Sequence, residues 1–213
     1  MNSRNLQALA IALGLFVAVY VPTFLIAGMF RPPAFILIPL IIAISFSIAM
    51  ILIFVLARRE SGICAFGLAT PSIRYVGFAV VFGLPLACVV AWLSHLFPSK
   101  SALDLTSLPA WAPWLYFVFG ASIQEETIFR GLIQSTLERR WKTVLSLPGV
   151  SLSSAVVFTA VLFGLVHIGN GAAVVAGALM LALVAGELRR RSGSLVAAII
   201  VHALFNAGGA IWP

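Results

Sequence analysis

Phe119-Gly120-Ala121-Ser122-Ile123-Gln124-Glu125-Glu126-Thr127-Ile128-Phe129-Arg130 sets two adjacent carboxylates and a guanidinium inside an apolar run covering residues 111–137. About 20 mostly apolar residues suffice for a helix to cross a bilayer, and an ionisable side chain inside such a helix costs at least ~2.5 kcal/mol on insertion scales. The stretch reads as a membrane helix that carries chemistry. Further apolar runs lie outward from it at 7–29, 34–57, 75–97, 151–168, 172–188 and 194–212. Their ends are marked by Arg31-Pro32-Pro33, Arg58-Arg59-Glu60, Pro98-Ser99-Lys100, Lys142 with Pro148-Gly149, Gly169-Asn170-Gly171 and Arg189-Arg190-Arg191. The expected fold is an all-α polytopic membrane bundle of about seven transmembrane helices. Composition agrees: 62% of the 213 residues are hydrophobic and 9% charged, against about a quarter charged in soluble domains, and mean hydropathy is +1.13.

The formal charge of +7 would raise nucleic-acid binding in a soluble protein, but the basic residues sit in short clusters between apolar runs rather than along one stripe. They read instead as topology signals. Arg4, Arg58, Arg59, Arg74, Arg139, Arg140, Lys142, Arg189, Arg190 and Arg191 fall in one set of alternate connections, and only Arg31 and Lys100 in the other. This bias predicts a cytoplasmic N-terminus and an external C-terminus. No signal peptide, repeat or soluble domain is expected, and the chain divides into residues 1–110, three helices with their loops, and 111–213, a four-helix core. The segment Gly62–Ile73 is too short and polar to cross; Ile63, Phe66 and Leu68 are expected at the interface. Cys64 and Cys88 match no disulfide scaffold or metal spacing and read as packing residues.

Six acidic residues are present. Glu60, Asp104 and Glu138 fall in connections and Glu187 at a helix end, which leaves Glu125 and Glu126 inside a span. Neighbours on a helix point about 100° apart, so these two must differ in role. Glu126 can pair with Arg130 at i, i+4, while Glu125 has no local partner and suits general acid–base work. Two of the three histidines lie within late spans: His167, with Phe163 one turn before it to fix its ring, and His202, with Asn206 one turn after it on the same face. His95, near an outer helix end, reads as interfacial. Each residue alone has an ordinary explanation as an ion ligand, a satisfied buried polar group or a structural clamp. Together, on three helices with few other buried polar residues, they read as one convergent site.

The motifs Glu125-Glu126-x-x-x-Arg130, Phe163-x-x-x-His167 and His202-x-x-x-Asn206 resemble, in order and spacing, those of the CPBP intramembrane proteases, a family that includes CAAX-processing and bacteriocin-processing or Abi proteins. The resemblance covers residues 111–212, with Phe66-Gly67-Leu68 as a short additional feature. It implies peptide-bond hydrolysis within the membrane, with Glu125 and His167 activating water, His202 and Asn206 stabilising the oxyanion, and Glu126 and Arg130 in support. Carboxylate with imidazole as base, and Asn with His as donors, are chemically suited to those tasks. No cofactor is favoured; the alternative is Zn²⁺ on Glu125, His167 and His202, although no HExxH pattern is present. A transporter or ion relay built on the same residues is the other reading; the absence of two similar halves counts against it. A catalytically idle scaffold is a third.

Glu125 lies eleven residues past Trp114, roughly 16 Å along a helix, and His167 lies just before the outer Gly169-Asn170-Gly171 turn. This depth favours a scissile bond arriving from the extracytoplasmic side, such as the C-terminal sorting tail of an exported protein or a bacteriocin-type leader, over a cytoplasmic CAAX-like protein. The expected partners are membrane lipid and a membrane-embedded polypeptide, with no nucleic acid. The expected location is a bacterial inner membrane.

Overall fold

The computed structural model describes residues 3–30, 32–59, 62–97, 108–141, 144–147 and 150–211. Its helices are α1 (Ser3–Phe30), α2 (Ala34–Arg59), α3 (Ile73–Leu96), α4 (114–140), α5 (Ser154–Val166), α6 (Ala172–Ser192) and α7 (Leu195–Ile211). The all-α bundle of seven helices is thus present among the described residues. Helices α1, α2, α3 and α6 are long and apolar enough to cross a membrane. Pro22, Pro39 and Pro85 sit inside α1, α2 and α3, as membrane helices tolerate where neighbours compensate the lost hydrogen bond. The few hydroxyls inside the spans bond their own helix: Thr23 to the Val19 carbonyl, Ser45 to Ile41 and Thr159 to Ala155.

The fifth helix begins at Ser154, not at residue 151. Before it, β1 (Val144–Leu147) and β2 (Val150–Ser153) form an antiparallel hairpin with Leu145 opposite Leu152 and Ser146 opposite Ser151. The alternating Leu/Ser pattern has a period of two, which suits a strand. Ser153 then caps α5 by accepting a hydrogen bond from the Ala155 amide. The hairpin tip Pro148-Gly149 and the loop residues Arg31, Glu60, Lys100, Asp104 and Lys142 lie outside the described residues.

The connection between α2 and α3 is not a passive interfacial segment. A short 3₁₀ turn spans Ile63–Phe66, and Phe66 is fully buried beneath the Arg139 guanidinium, 4.3 Å from its ring centroid. Ile63 is exposed as expected. Gly67, at φ +87°, turns the chain so that its carbonyl accepts from the Leu195 amide, and Ser194 bonds the Ala69 carbonyl. Arg189, counted above as a topology signal, is buried and bonds both the Ala65 carbonyl and the Ser135 hydroxyl. These bonds fasten the connection to α4, α6 and α7 at the arginine-rich end. Cys64 and Cys88 are both exposed rather than packed, because each faces outward from its own turn.

Residues 126–137 of α4 are buried without interruption, so this helix is the axis of the core. Around it pack α1, α2, α5 and α7, and small residues bring α7 against α3. Gly208 leaves no room for a Cβ beside the Ala87 backbone, and Gly83 faces Leu204.

Candidate active site

Helix α4 is α-helical at Ser122–Glu126 and again at Ser135–Arg140; the stretches Trp114–Ala121 and Thr127–Gln134 are wound as π-helix. Such widened turns are costly, and they concentrate at functional sites. Two hydroxyls match the wider winding by reaching back five residues: Ser122 to the Phe117 carbonyl and Ser135 to the Arg130 carbonyl. The unusual winding frames the two glutamates.

Glu126 is fully buried and works in two directions. One oxygen lies 2.8 Å from His202 Nδ1, and the other lies 3.2 Å from Arg130 Nε. A buried carboxylate needs such compensation. The Arg130 guanidinium is itself buried, 4.8 Å from the Phe163 ring centroid and 5.9 Å from that of Phe129, so its remaining stabilisation comes from aromatic faces. The i, i+4 pair read from the sequence is therefore present, joined by a bond to His202 that spacing alone does not reveal.

Glu125 stands apart. Its side chain keeps 21% exposure, and one oxygen is 3.7 Å from His202 Nε2, beyond hydrogen-bond range. His202 thus sits between the two carboxylates, bonded to Glu126 and facing Glu125. Phe163 organises the neighbouring rings: it meets His202 edge-on at 5.8 Å and lies 4.6 Å from His167. His167 ends α5, and its Nδ1 is 2.8 Å from the Phe163 carbonyl, which fixes the ring and leaves Nε2 free. It makes no direct contact with either glutamate.

Asn206, one turn beyond His202, donates from Nδ2 to the Phe117 carbonyl at 2.8 Å and to Ser122 Oγ at 3.2 Å. Both anchors belong to α4. They were not anticipated, because a backbone carbonyl released by π winding carries no sequence signature. Tyr20 on α1 was also missed. It is hydrogen-bonded to Gln124 and lies within electrostatic reach of Glu125 and Arg130, with its ring 6.2 Å from that of Phe129. A lone tyrosine in an apolar helix gives no warning of this. His95 is exposed at the far end of α3 and takes no part.

Among the described residues no three His, Cys, Asp or Glu side chains are grouped as a metal site.

With this geometry in place, residues 107–208 match the family described as type II CAAX prenyl endopeptidase, Rce1-like. The match spans slightly less than half of the chain and supports a CPBP/CAAX intramembrane protease family. No curated protein and no solved structure matches it. The match supports an intramembrane endopeptidase of CAAX type, and the four long apolar helices support an integral, multi-pass membrane protein. The family match begins just before α4 and ends within α7, so it contains Glu125, Glu126, Arg130, Phe163, His167, His202 and Asn206.

Proposed function

We propose that this CAAX-type protease hydrolyses a peptide bond of a membrane-anchored polypeptide with Glu125 as general base. The observation that carries this reading is the division of labour between adjacent carboxylates: Glu126 is consumed by His202 and Arg130 at 2.8 and 3.2 Å, whereas Glu125 only faces His202 at 3.7 Å and is partly open. A water held between Glu125 and His167 Nε2 gives its proton to the carboxylate as its oxygen adds to the scissile carbonyl. His202 is held by Glu126 through Nδ1, with its Nε2 edge turned toward Glu125 and the place where the oxyanion develops. Asn206 supplies a donor by giving up its longer bond, that to Ser122. Glu125 then returns the proton to the departing amine. No cofactor enters these steps.

For the substrate we favour approach from the arginine-rich face. A cleft of about 840 Å³ opens there between the Cys64–Pro71 segment and α7, and its lining includes Ile123, Thr127 and Ile199. It reaches within one turn of Glu126 and His202. The family description, a CAAX prenyl endopeptidase, fits a lipid-anchored substrate entering from that side. The depth of Glu125 supports the contrary approach, by a sorting tail or leader from outside. We place the protein in a bacterial inner membrane with the arginine-rich face inward.

The test is cleavage of membrane-anchored peptides of each type by detergent-purified protein, wild type and Glu125→Ala, with and without a strong chelator. The expected result is chelator-insensitive cleavage of the lipidated peptide, lost in the variant. Chelator inhibition reversed by zinc would overturn the metal-free mechanism, and preference for the external tail would overturn the direction of approach.

A further inference from the structure

A second cleft lies well away from the catalytic residues, at the arginine-rich end between the start of α3 and the end of α6. It measures about 410 Å³, and its lining changes character along its length. Arg74 and Arg191 stand at the mouth, and Phe78, Phe82 and Val184 line the inner wall. Phe82 is two turns past Arg74, about 12 Å deeper at ~1.5 Å per residue, and it is half exposed on the outer surface of the bundle.

The charges at the mouth do not cancel. Glu187 is clamped by Arg190 at 2.6 and 2.8 Å and by Arg191 at 2.6 Å, so one carboxylate is shared by two guanidinium groups. Among the described residues, no carboxylate reaches Arg74; its guanidinium rests on the Phe78 ring, 5.2 Å from the centroid. The lining at the mouth thus carries two cations, Arg74 and Arg191, and one anion, Glu187, directly above an apolar trough.

We propose that this cleft binds one anionic phospholipid, its phosphate held by Arg74 and Arg191 and one acyl chain lying along Phe78, Phe82 and Val184. A cationic mouth over an apolar wall matches a lipid phosphate and chain together. A free phosphate ion leaves the trough unused, and an acidic peptide leaves it facing the bilayer. Because α3 and α6 pack on each other less than each packs on α7, the lipid lies along the seam between them.

The experiment is native mass spectrometry of the full chain in detergent, titrated with phosphatidylglycerol or with phosphatidylcholine of the same chains, and separately with inorganic phosphate as competitor. A one-to-one phosphatidylglycerol complex is expected, with phosphatidylcholine binding far more weakly and phosphate failing to compete. Arg74→Gln should weaken binding about fivefold, the share of one basic residue near a lipid headgroup, and Val184→Trp should block the trough. Arg58→Gln with Arg59→Gln, at the same end but outside the cleft, should leave binding unchanged. Circular dichroism of each variant checks that it is folded. Equal binding of both lipids, competition by phosphate, or equal loss in the Arg58/Arg59 control would overturn the proposal.

Discussion

The three amino-terminal helices and the four that follow them use the membrane differently. In α1, α2 and α3 only 17%, 22% and 11% of the most apolar window is buried, against 44% in α6, and α4 is buried continuously from 126 to 137. The first group presents Phe24, Leu25, Ile51, Phe82 and Trp92 outward, with buried positions that are mostly alanine. The second group encloses Glu126, Arg130, Gln134, Arg189 and His202. Lipid already solvates apolar side chains, so outward-facing helices need only length and small contact residues. Polar groups have no such solvent and must be satisfied by protein. The large buried polar side chains of this protein are gathered in the second group.

If that contrast is correct, substitutions in α4–α7 should matter most where they orphan a buried charge. Arg130→Ala leaves Glu126 buried without its guanidinium and is expected to cost about 3–5 kcal/mol of stability, read from the thermal unfolding of purified protein. A cost near zero would mean that His202 alone satisfies Glu126. Asn206→Ala removes a proposed oxyanion donor and should lower kcat about 10²–10³-fold with little effect on unfolding. Loss of stability without loss of kcat would reassign Asn206 to anchoring α7 on the Phe117 carbonyl.

Across the boundary the effects should be smaller and steric. Gly208→Val forces a side chain into the Ala87 backbone and should destabilise by about 1–3 kcal/mol, the usual range for overpacking, by prying α3 from α7. Tyr20→Phe, the one amino-terminal change aimed at the site, removes only a hydroxyl bonded to Gln124. Its expected effect on kcat is less than about tenfold, near one hydrogen bond's net worth. A larger loss would place α1 within the catalytic machinery.

Much of this was readable from the residues. Span positions follow from apolar length, and the Glu126–Arg130 and Phe163–His167 contacts follow from i, i+4 spacing. What escaped has physical causes. Bonds such as His202 to Glu126, or Asn206 to the Phe117 carbonyl, join residues far apart in the chain, and their partners depend on how α7 is rotated against α4. The burial of Arg189 depends on a loop that folds back beneath it, whereas a cluster of three arginines looks alike in sequence whether solvated or buried. Residues 151–153, in the second strand of the hairpin, read as the start of the fifth span because short apolar runs fit either period.

The decisive comparison is between neighbours on α4. Glu125→Gln and Glu126→Gln differ by one position and are alike in chemistry, so cleavage of one membrane-anchored peptide by both variants isolates their roles. The account predicts that Glu125→Gln lowers kcat by about 10²–10⁴, the range for a lost general base, while Glu126→Gln keeps at least tenfold more activity because the amide can still accept from His202 Nδ1. Equal losses, or a greater loss in Glu126→Gln, would contradict the assignment of Glu125 as the base.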